Sequence, residues 1–539
     1  MLVQHFLKNS AERLPDKVAL ICGEERLTYR EIDEQANCVA GFLRELGVQR
    51  QDRAAILLDN SVESVISLWG ILKADAIFLM LSPTMKAHKL AYILNDCQVK
   101  ALITHTNKAR VVSEAISEAK SLENVMWVGK TDAIPSLSRD PAKSHSFASI
   151  LSSIGVAQGT RLKAQGEKQI TDLAPYALRP APAANIDLDL AALIYTSGST
   201  GDPKGVMLTH LNMISAATSI TTYLENQEDD IVINVLPLSF DYGLYQLLMA
   251  SKFGGTVVLE KSFTFPYKVI EKMVQEKVTG FPGVPTIFAI LLGLKDIGKF
   301  DFSNLRYISN TAAFLPPAYI ERLREIFPQV KIYSMYGLTE CKRVSYLPPD
   351  EIDHRPTSIG RGMPNEEVWI VNESGNPVGP DVVGELVVRG SNVMSGYWGL
   401  PDETARTLKP GKYPGEVILC TGDLFKMDQD GYLYFVGRKD DMIKSRGERI
   451  SPKEIEQCLC SLEDVAEAAV LGVPDEILGQ AIVAYISSHD GHKLTEKQVQ
   501  KHCRLNLEDF MVPQVVHFIE NLPKTANGKI DKLALRAMG

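Results

Sequence analysis

Short apolar runs alternate with longer segments of helical period through the first hundred residues. Residues 53–58 (RAAILL) and 76–81 (AIFLML) read as buried strands, and 61–74 and 86–95 read as the helices that follow them. Strand, helix, strand, helix is the order of parallel α/β units. The rhythm returns at 230–236 and 255–259, then at 305–309 and 330–333 with a helical stretch over 317–326. The pattern predicts one large layered α/β body, compatible with two related halves.

Two regions break the rhythm. Between residues 131 and 187 the chain is rich in Ser, Ala and Pro, which predicts a surface excursion or flexible connection, not a domain. From about 357 to 436, turn signals (ESGNPVGP, VRGSN, DQDGY) separate short apolar runs at 368–371, 384–388 and 432–436. These predict hairpins and a smaller β-rich subdomain. Beyond Gly437 the chain turns charged (RKDDMIKSRGER), and a new α/β pattern opens with a helix over 452–462. The expected division is a large domain over 1–439, including the β-rich subdomain, and a small α+β domain over 440–539. No repeat of solenoid length is visible.

Composition narrows the class. Apolar types form 45% and charged types 23% of 539 residues, the balance of a folded globular chain. Net charge is −9 without a basic stripe, which disfavours a nucleic-acid partner. The amino terminus lacks the apolar core of a secretory signal. The most apolar stretch, 61–82, is broken by Glu63, Lys73 and Asp75, so no membrane span is expected and the expected location is the cytoplasm. Eight scattered cysteines are expected to be reduced thiols.

The chemistry gathers first at 195–205, YTSGSTGDPKG, directly after the apolar run 190–194. Small hydroxyl and Gly residues let backbone N–H groups approach phosphate oxygens, and Lys204 adds a cation. Asp202 and Pro203 separate Gly201 from Lys204 and no Gly-Lys-Ser/Thr triplet follows, so this is a phosphate cradle of a kind other than Walker A.

Together with 336–340 (YGLTE), 421–423 (TGD), 437–441 (GRKDD) and 523–532 (PKTANGKIDK), the loop resembles the adenylate-forming superfamily: acyl-CoA synthetases, nonribosomal adenylation domains and firefly luciferases. The resemblance runs in order over essentially the whole chain. It implies ATP and Mg²⁺ as cofactors. The reaction it implies is attack of a carboxylate on the α-phosphorus of ATP, followed by displacement of AMP by a thiol.

The resemblance also implies roles. Thr196, Ser197, Gly198, Ser199, Thr200, Gly201 and Lys204 would hold the phosphates. Ala312, Ala313, Tyr336 and Gly337 would line the nucleotide pocket, Asp423 would accept the ribose hydroxyls, and Arg438 would stand beside it. Thr339 would reach the α-phosphate, Glu340 would offer its carboxylate to Mg²⁺, and Lys529 would bridge the substrate carboxylate and the α-phosphate. Asp440 matches the hinge of a rotating carboxy-terminal domain, and Gly447 and Arg449 match the loop facing the thiol donor. Two departures stand out. Residues 310–314 read NTAAF where many relatives have a Gly-rich turn, and 445–452 read SRGERISP where many have Glu before Pro.

For the acid, 236–246 (LPLSFDYGLYQ) matches the place where amino-acid-activating members carry an Asp for the substrate's ammonium. Asp241 holds it, with Tyr242 and Tyr245 beside it. The alternative for Asp241 is a helix cap. With the continuation CKRVSYL after YGLTE, the chain looks most like free-standing enzymes that load L-proline onto a peptidyl carrier protein, although Lys342 and Arg343 read equally well as surface cations. Since no carrier-like segment is seen, the expected partner is a holo carrier protein acting in trans. The alternative is an AMP-forming acyl-CoA synthetase acting on a small or fatty acid. A binding protein that has lost turnover is the third reading, and intact Lys204, Glu340, Asp423 and Lys529 argue against it.

Overall fold

A computed structural model describes residues 1–130, 142–152, 184–197, 203–439, 441–445, 448–475, 478–488, 494–525 and 528–538. Two large sheets form the body. The first has nine strands. From Lys331–Tyr336 through Tyr307–Asn310, Gly280–Gly283, Ile231–Asn234 and Thr256–Leu259 to Val18–Cys22, every pairing is parallel. Antiparallel edges are added by Ser345–Leu347 and Arg361–Gly362 on one side and by Glu25–Thr28 on the other. The second sheet has eight strands. Leu190–Ser197, Ile77–Met80, Arg53–Leu57, Ala101–His105, Asn124–Val128 and Lys143–Ser146 are parallel, and Pro203–Thr209 and Gly396–Tyr397 close one edge antiparallel.

Local chemistry starts the helices where the periodicity predicts them. Thr28 and Glu31 close a capping box on Tyr29–Glu45, and Ser61 and Ser64 do so on Val62–Lys73, satisfying backbone donors that would otherwise lack partners. Val62–Lys73 is apolar nearly all round because it is buried on nearly every side. A smaller antiparallel sheet, Glu366–Val371, Gly384–Gly390, Leu408–Pro410, Val417–Met427 and Leu433–Arg438, is the expected β-rich part.

Within the low-complexity segment the structure corrects the expectation in part. Lys143–Ser146 pairs as an edge strand, and Phe147 and Ile150 enter the main core. The apolar spacing there is too sparse to read as a strand, and pairing with Asn124–Val128 supplies what the local pattern lacks. The main hydrophobic cluster ends at Leu433, and separate clusters begin with Ile443 around the three-stranded sheet Val465–Asp475, Gly479–Ser488 and Val515–Phe518. Among the described residues no helix is long and apolar enough to cross a membrane, and the cysteines are free thiols.

Candidate active site

Four neighbouring parallel strands of the nine-stranded sheet deliver the site at their carboxyl ends, where open α/β sheets characteristically present ligand-binding loops. Lys331–Tyr336 ends in YGLTE, Tyr307–Asn310 runs into Thr311–Phe314, Gly280–Gly283 leads to Thr286, and Ile231–Asn234 leads to Asp241. Residues scattered over a hundred positions therefore meet along one sheet edge.

Asp423 and Arg438 stand directly opposite each other on adjacent antiparallel strands. Asp423 is 4% exposed; its Oδ2 accepts from the Tyr336 hydroxyl at 2.5 Å and its Oδ1 from Arg438 Nε at 3.1 Å. Burial raises the Asp423 pKa, against the opposing pull of Arg438 and the Tyr336 hydrogen bond. The Tyr336 ring packs edge-on to Phe425 at 5.0 Å, which fixes its hydroxyl on the carboxylate.

Lys529 is exposed on a loop docked to the body. Its carbonyl accepts from Thr525 N–H at 2.7 Å, Gly528 N–H donates to Thr525 at 2.9 Å, and the Thr286 hydroxyl donates to the Gly528 carbonyl at 3.1 Å. Although the residue as a whole meets solvent, the protein around its ammonium lowers its pKa by desolvation. Asp241, Asp423 and Glu340 oppose this, and Arg438 adds to it. The structure thus places Asp241, Asp423 and Glu340, to which the resemblance assigns acid, ribose and metal, within electrostatic reach of Lys529.

The antiparallel pair Leu190–Ser197 and Pro203–Thr209 aligns Thr196 with Lys204. Gly198, Ser199, Thr200, Gly201, Asp440 and Gly447 lie outside the described residues, as do the side chains of Ser197 and Arg449. Lys204 Nζ binds Glu403 Oε2 at 2.6 Å and lies 5.7 Å over the Tyr397 ring. The Tyr397 hydroxyl in turn donates to Glu340 Oε1 at 2.7 Å. Tyr397 and Glu403 are missed by sequence reasoning, because an isolated Tyr or Glu in 396–403 carries no local signal and acquires a partner only when Gly396–Tyr397 pairs with Pro203–Thr209. Thr339 and Glu340 are half-buried. Glu340 fits a Mg²⁺ ligand: Mg²⁺ commonly takes one or two carboxylates plus substrate phosphates, and Tyr397 holds this carboxylate facing the phosphate hairpin.

The loop 310–314 solves its turn without Gly. Ala312 adopts φ +75°, a left-handed backbone that Gly would take without strain, and Asn310 Nδ2 donates to the Ala313 carbonyl at 3.0 Å to hold the turn.

The acid side departs most from expectation. Asp241 is the first residue of the helix Asp241–Phe253, the cap position is Phe240, and the Asp241 carboxylate meets Lys342 Nζ at 3.6 Å. The capping alternative is therefore replaced by an ion pair. Lys342 and Arg343 are not surface cations: they are 4% and 2% exposed. Gly337 explains the fold-back, since a Cβ there would come within 2.4 Å of the Lys342 carbonyl oxygen and 2.8 Å of Arg343 Cα. Burial lowers the Lys342 pKa to about 7, with Asp241 opposing and Arg343 assisting. Tyr242 and Tyr245 offer ring faces to these cations, and the Tyr242 hydroxyl is 2.8 Å from both the carbonyl and the hydroxyl oxygen of Ser309.

A parallel-sheet body, a small carboxy-terminal unit bearing Lys529, and the grouping of Asp423, Arg438 and Glu340 about that lysine fit the class of AMP-forming acid–thiol ligases. The chain belongs to the AMP-binding enzyme family, whose model matches residues 7–398, with the AMP-binding enzyme C-terminal domain matching 454–529. Enzymes of this family use ATP with Mg²⁺. The chain is 30% identical to a long-chain-fatty-acid–CoA ligase of Bacillus subtilis, covering 98% of this chain and 93% of that protein. It is 29% identical to surfactin synthase subunit 2 of the same organism, over 98% of this chain but 14% of that protein. The crystal structure of the anthranilate CoA ligase AuaEII with anthranoyl-AMP superposes with a TM-score of 0.83 at 26% identity, covering 100% of this chain and 97% of that one.

Proposed function

We propose that this chain joins a carboxylic acid to the thiol of coenzyme A in two steps at one site. The observation that carries the reading is the convergence of Asp241, Glu340, Asp423 and Arg438 on Lys529. In the first step an acid carboxylate oxygen bonds to the α-phosphorus of ATP and pyrophosphate leaves. In the second a thiolate attacks the acyl carbon and AMP leaves, the thiol proton passing to solvent. Lys529 offsets the charge of two anions brought together, Thr339 donates to the α-phosphate, and Asp423 receives the ribose hydroxyls while Arg438 holds it in place. Tyr336, Gly337, Ala312 and Ala313 wall the nucleotide. Thr196, Ser197 and Lys204 hold the outgoing phosphates with the rest of the loop 198–201. Glu340 would hold Mg²⁺, which neutralises phosphate charge when bound. The domain boundary at 439/440, Asp440 as hinge, and Gly447 and Arg449 at the thiol entrance belong to this proposal.

The coenzyme A acceptor is supported by the names of the relatives that align along their full length. A second reading is loading of an amino acid, L-proline in particular, onto a carrier protein. It is favoured by Asp241 standing near Lys529 and by the match to a surfactin synthase subunit. It requires the substrate ammonium to displace Lys342 from Asp241, which weighs against it. ATP–pyrophosphate exchange across amino acids and across aliphatic and aromatic acids, followed by AMP release with coenzyme A or with a holo carrier protein, separates the two. Exchange with a non-amino acid and release by coenzyme A is the expected result, whereas exchange dominated by L-proline with release only by the carrier establishes the second reading.

Glu403 supplies a further prediction. In this structure it holds the phosphate lysine, so ATP must compete for Lys204. Glu403→Gln is expected to lower the apparent KM for ATP about two- to fivefold, the worth of a partly exposed ion pair, and more at low ionic strength. A raised KM would make Glu403 a positioning partner and not a competitor.

A further inference from the structure

Arg343 is the least explained charge in the molecule. It is 2% exposed, its Nε has no hydrogen-bond partner, and among the described residues its guanidinium makes no ion pair, the Tyr223 hydroxyl being its polar neighbour. It rests 5.1 Å over the Tyr242 ring, one residue from Asp241. Beside it Lys342, 4.4 Å over the Tyr245 ring, pairs with Asp241, which Lys529 also senses. Asp241 thus pairs with one of two adjacent buried cations and is also felt by Lys529. A buried cation left unpaired is costly, and aromatic faces recover only part of the lost hydration. Holding the pair inward also takes a left-handed backbone at Lys342, φ +69°, and the close approach at Gly337. Strain of that kind persists where function over-determines the geometry.

We propose that Arg343, with Lys342, determines acid specificity, and that the acid carries a second anionic group, a distal carboxylate or an equivalent oxyanion, in addition to the carboxylate that is adenylated. The inference rests on the acid-adenylation reading above and names its substrate class. A simple fatty acid would bring only methylenes against the guanidinium. A neutral amino acid would bring an ammonium toward two cations. A dianionic acid supplies the missing partner while its reacting carboxylate lies at Lys529.

The test pairs dicarboxylates from succinate upward with monocarboxylates of equal length, read in two ways on the full chain: ATP–pyrophosphate exchange, and calorimetric binding in the presence of a non-hydrolysable ATP analogue. At the fitting length the dicarboxylate is expected to exceed its monocarboxylate by about 30-fold or more in kcat/KM, the lower range for a desolvated charge pair. Arg343→Met is expected to collapse that ratio toward one, and Arg343→Lys to restore part of it. Wild-type protein that favours the monocarboxylate at every length, or binds no dicarboxylate, overturns the proposal, and this arm holds even if R343M fails to fold. Dicarboxylate binding that depends on Arg343 without any exchange would sustain this pocket while overturning adenylation. Strong exchange confined to monocarboxylates would do the reverse.

Discussion

Lys529→Ala is expected to lower ATP–pyrophosphate exchange by about 1,000-fold while leaving the melting temperature unchanged. The size follows from removing one preorganised charge at the point where two anions meet, for which losses of roughly 10²–10³ are typical. The unchanged stability follows from the loop. Its geometry is set by backbone hydrogen bonds among Thr525, Gly528 and Lys529 and by the Thr286 contact, none of which uses the ammonium. The same residue predicts a pH effect. Because burial lowers its pKa, the cation is lost as pH rises at a point below the ordinary lysine range, so exchange is expected to decline on the alkaline side and the decline to vanish from the residual activity of the alanine variant. Exchange at the wild-type rate would remove Lys529 from the chemistry.

Lys342→Met carries the second large effect, read on stability. The folded chain releases the Lys342 proton once the pH exceeds about 7, whereas the unfolded chain keeps it to the ordinary lysine value of 10.5. Across that window the unfolded state binds more protons, so this group makes stability rise with pH; below it both states are protonated and the cost of burying the cation is constant. Between pH 7 and pH 9 the wild type is expected to gain about 2 kcal/mol relative to K342M, measured as the difference in urea unfolding free energy of the large body. Parallel pH profiles for the two proteins would place the ammonium in solvent, contrary to its 4% exposure.

Much of the site is legible in the chain because it is carried by contiguous motifs. YGLTE, the Asp423 and Arg438 segments and the Lys529 loop each have a local composition that suits the proposed chemistry, and the fold brings Glu340, Asp423, Arg438 and Lys529 to neighbouring positions. The helix starts at Thr28 and Ser61 and the strands of the two sheets are equally local, since capping side chains and apolar periodicity act within a few residues. Less legible are pairings between distant segments. Lys143–Ser146 has too little apolar pattern to announce a strand, and Tyr397, Glu403, Lys342 and Arg343 have no motif of their own.

For this protein the amino-acid sequence by itself determined the parallel α/β body, the family and its ATP-dependent chemistry, because these depend on periodicity and on residue types at short spacing. Only the tertiary structure decided that Lys204 is held by Glu403, that Asp241 is paired and not a cap, and that Lys342 and Arg343 point inward. The physical reason is that burial and ion pairing are properties of groups brought together across the sheet. The same Lys-Arg dipeptide is cheap in water and consequential between Tyr242 and Tyr245, and nothing in its immediate neighbours distinguishes the two.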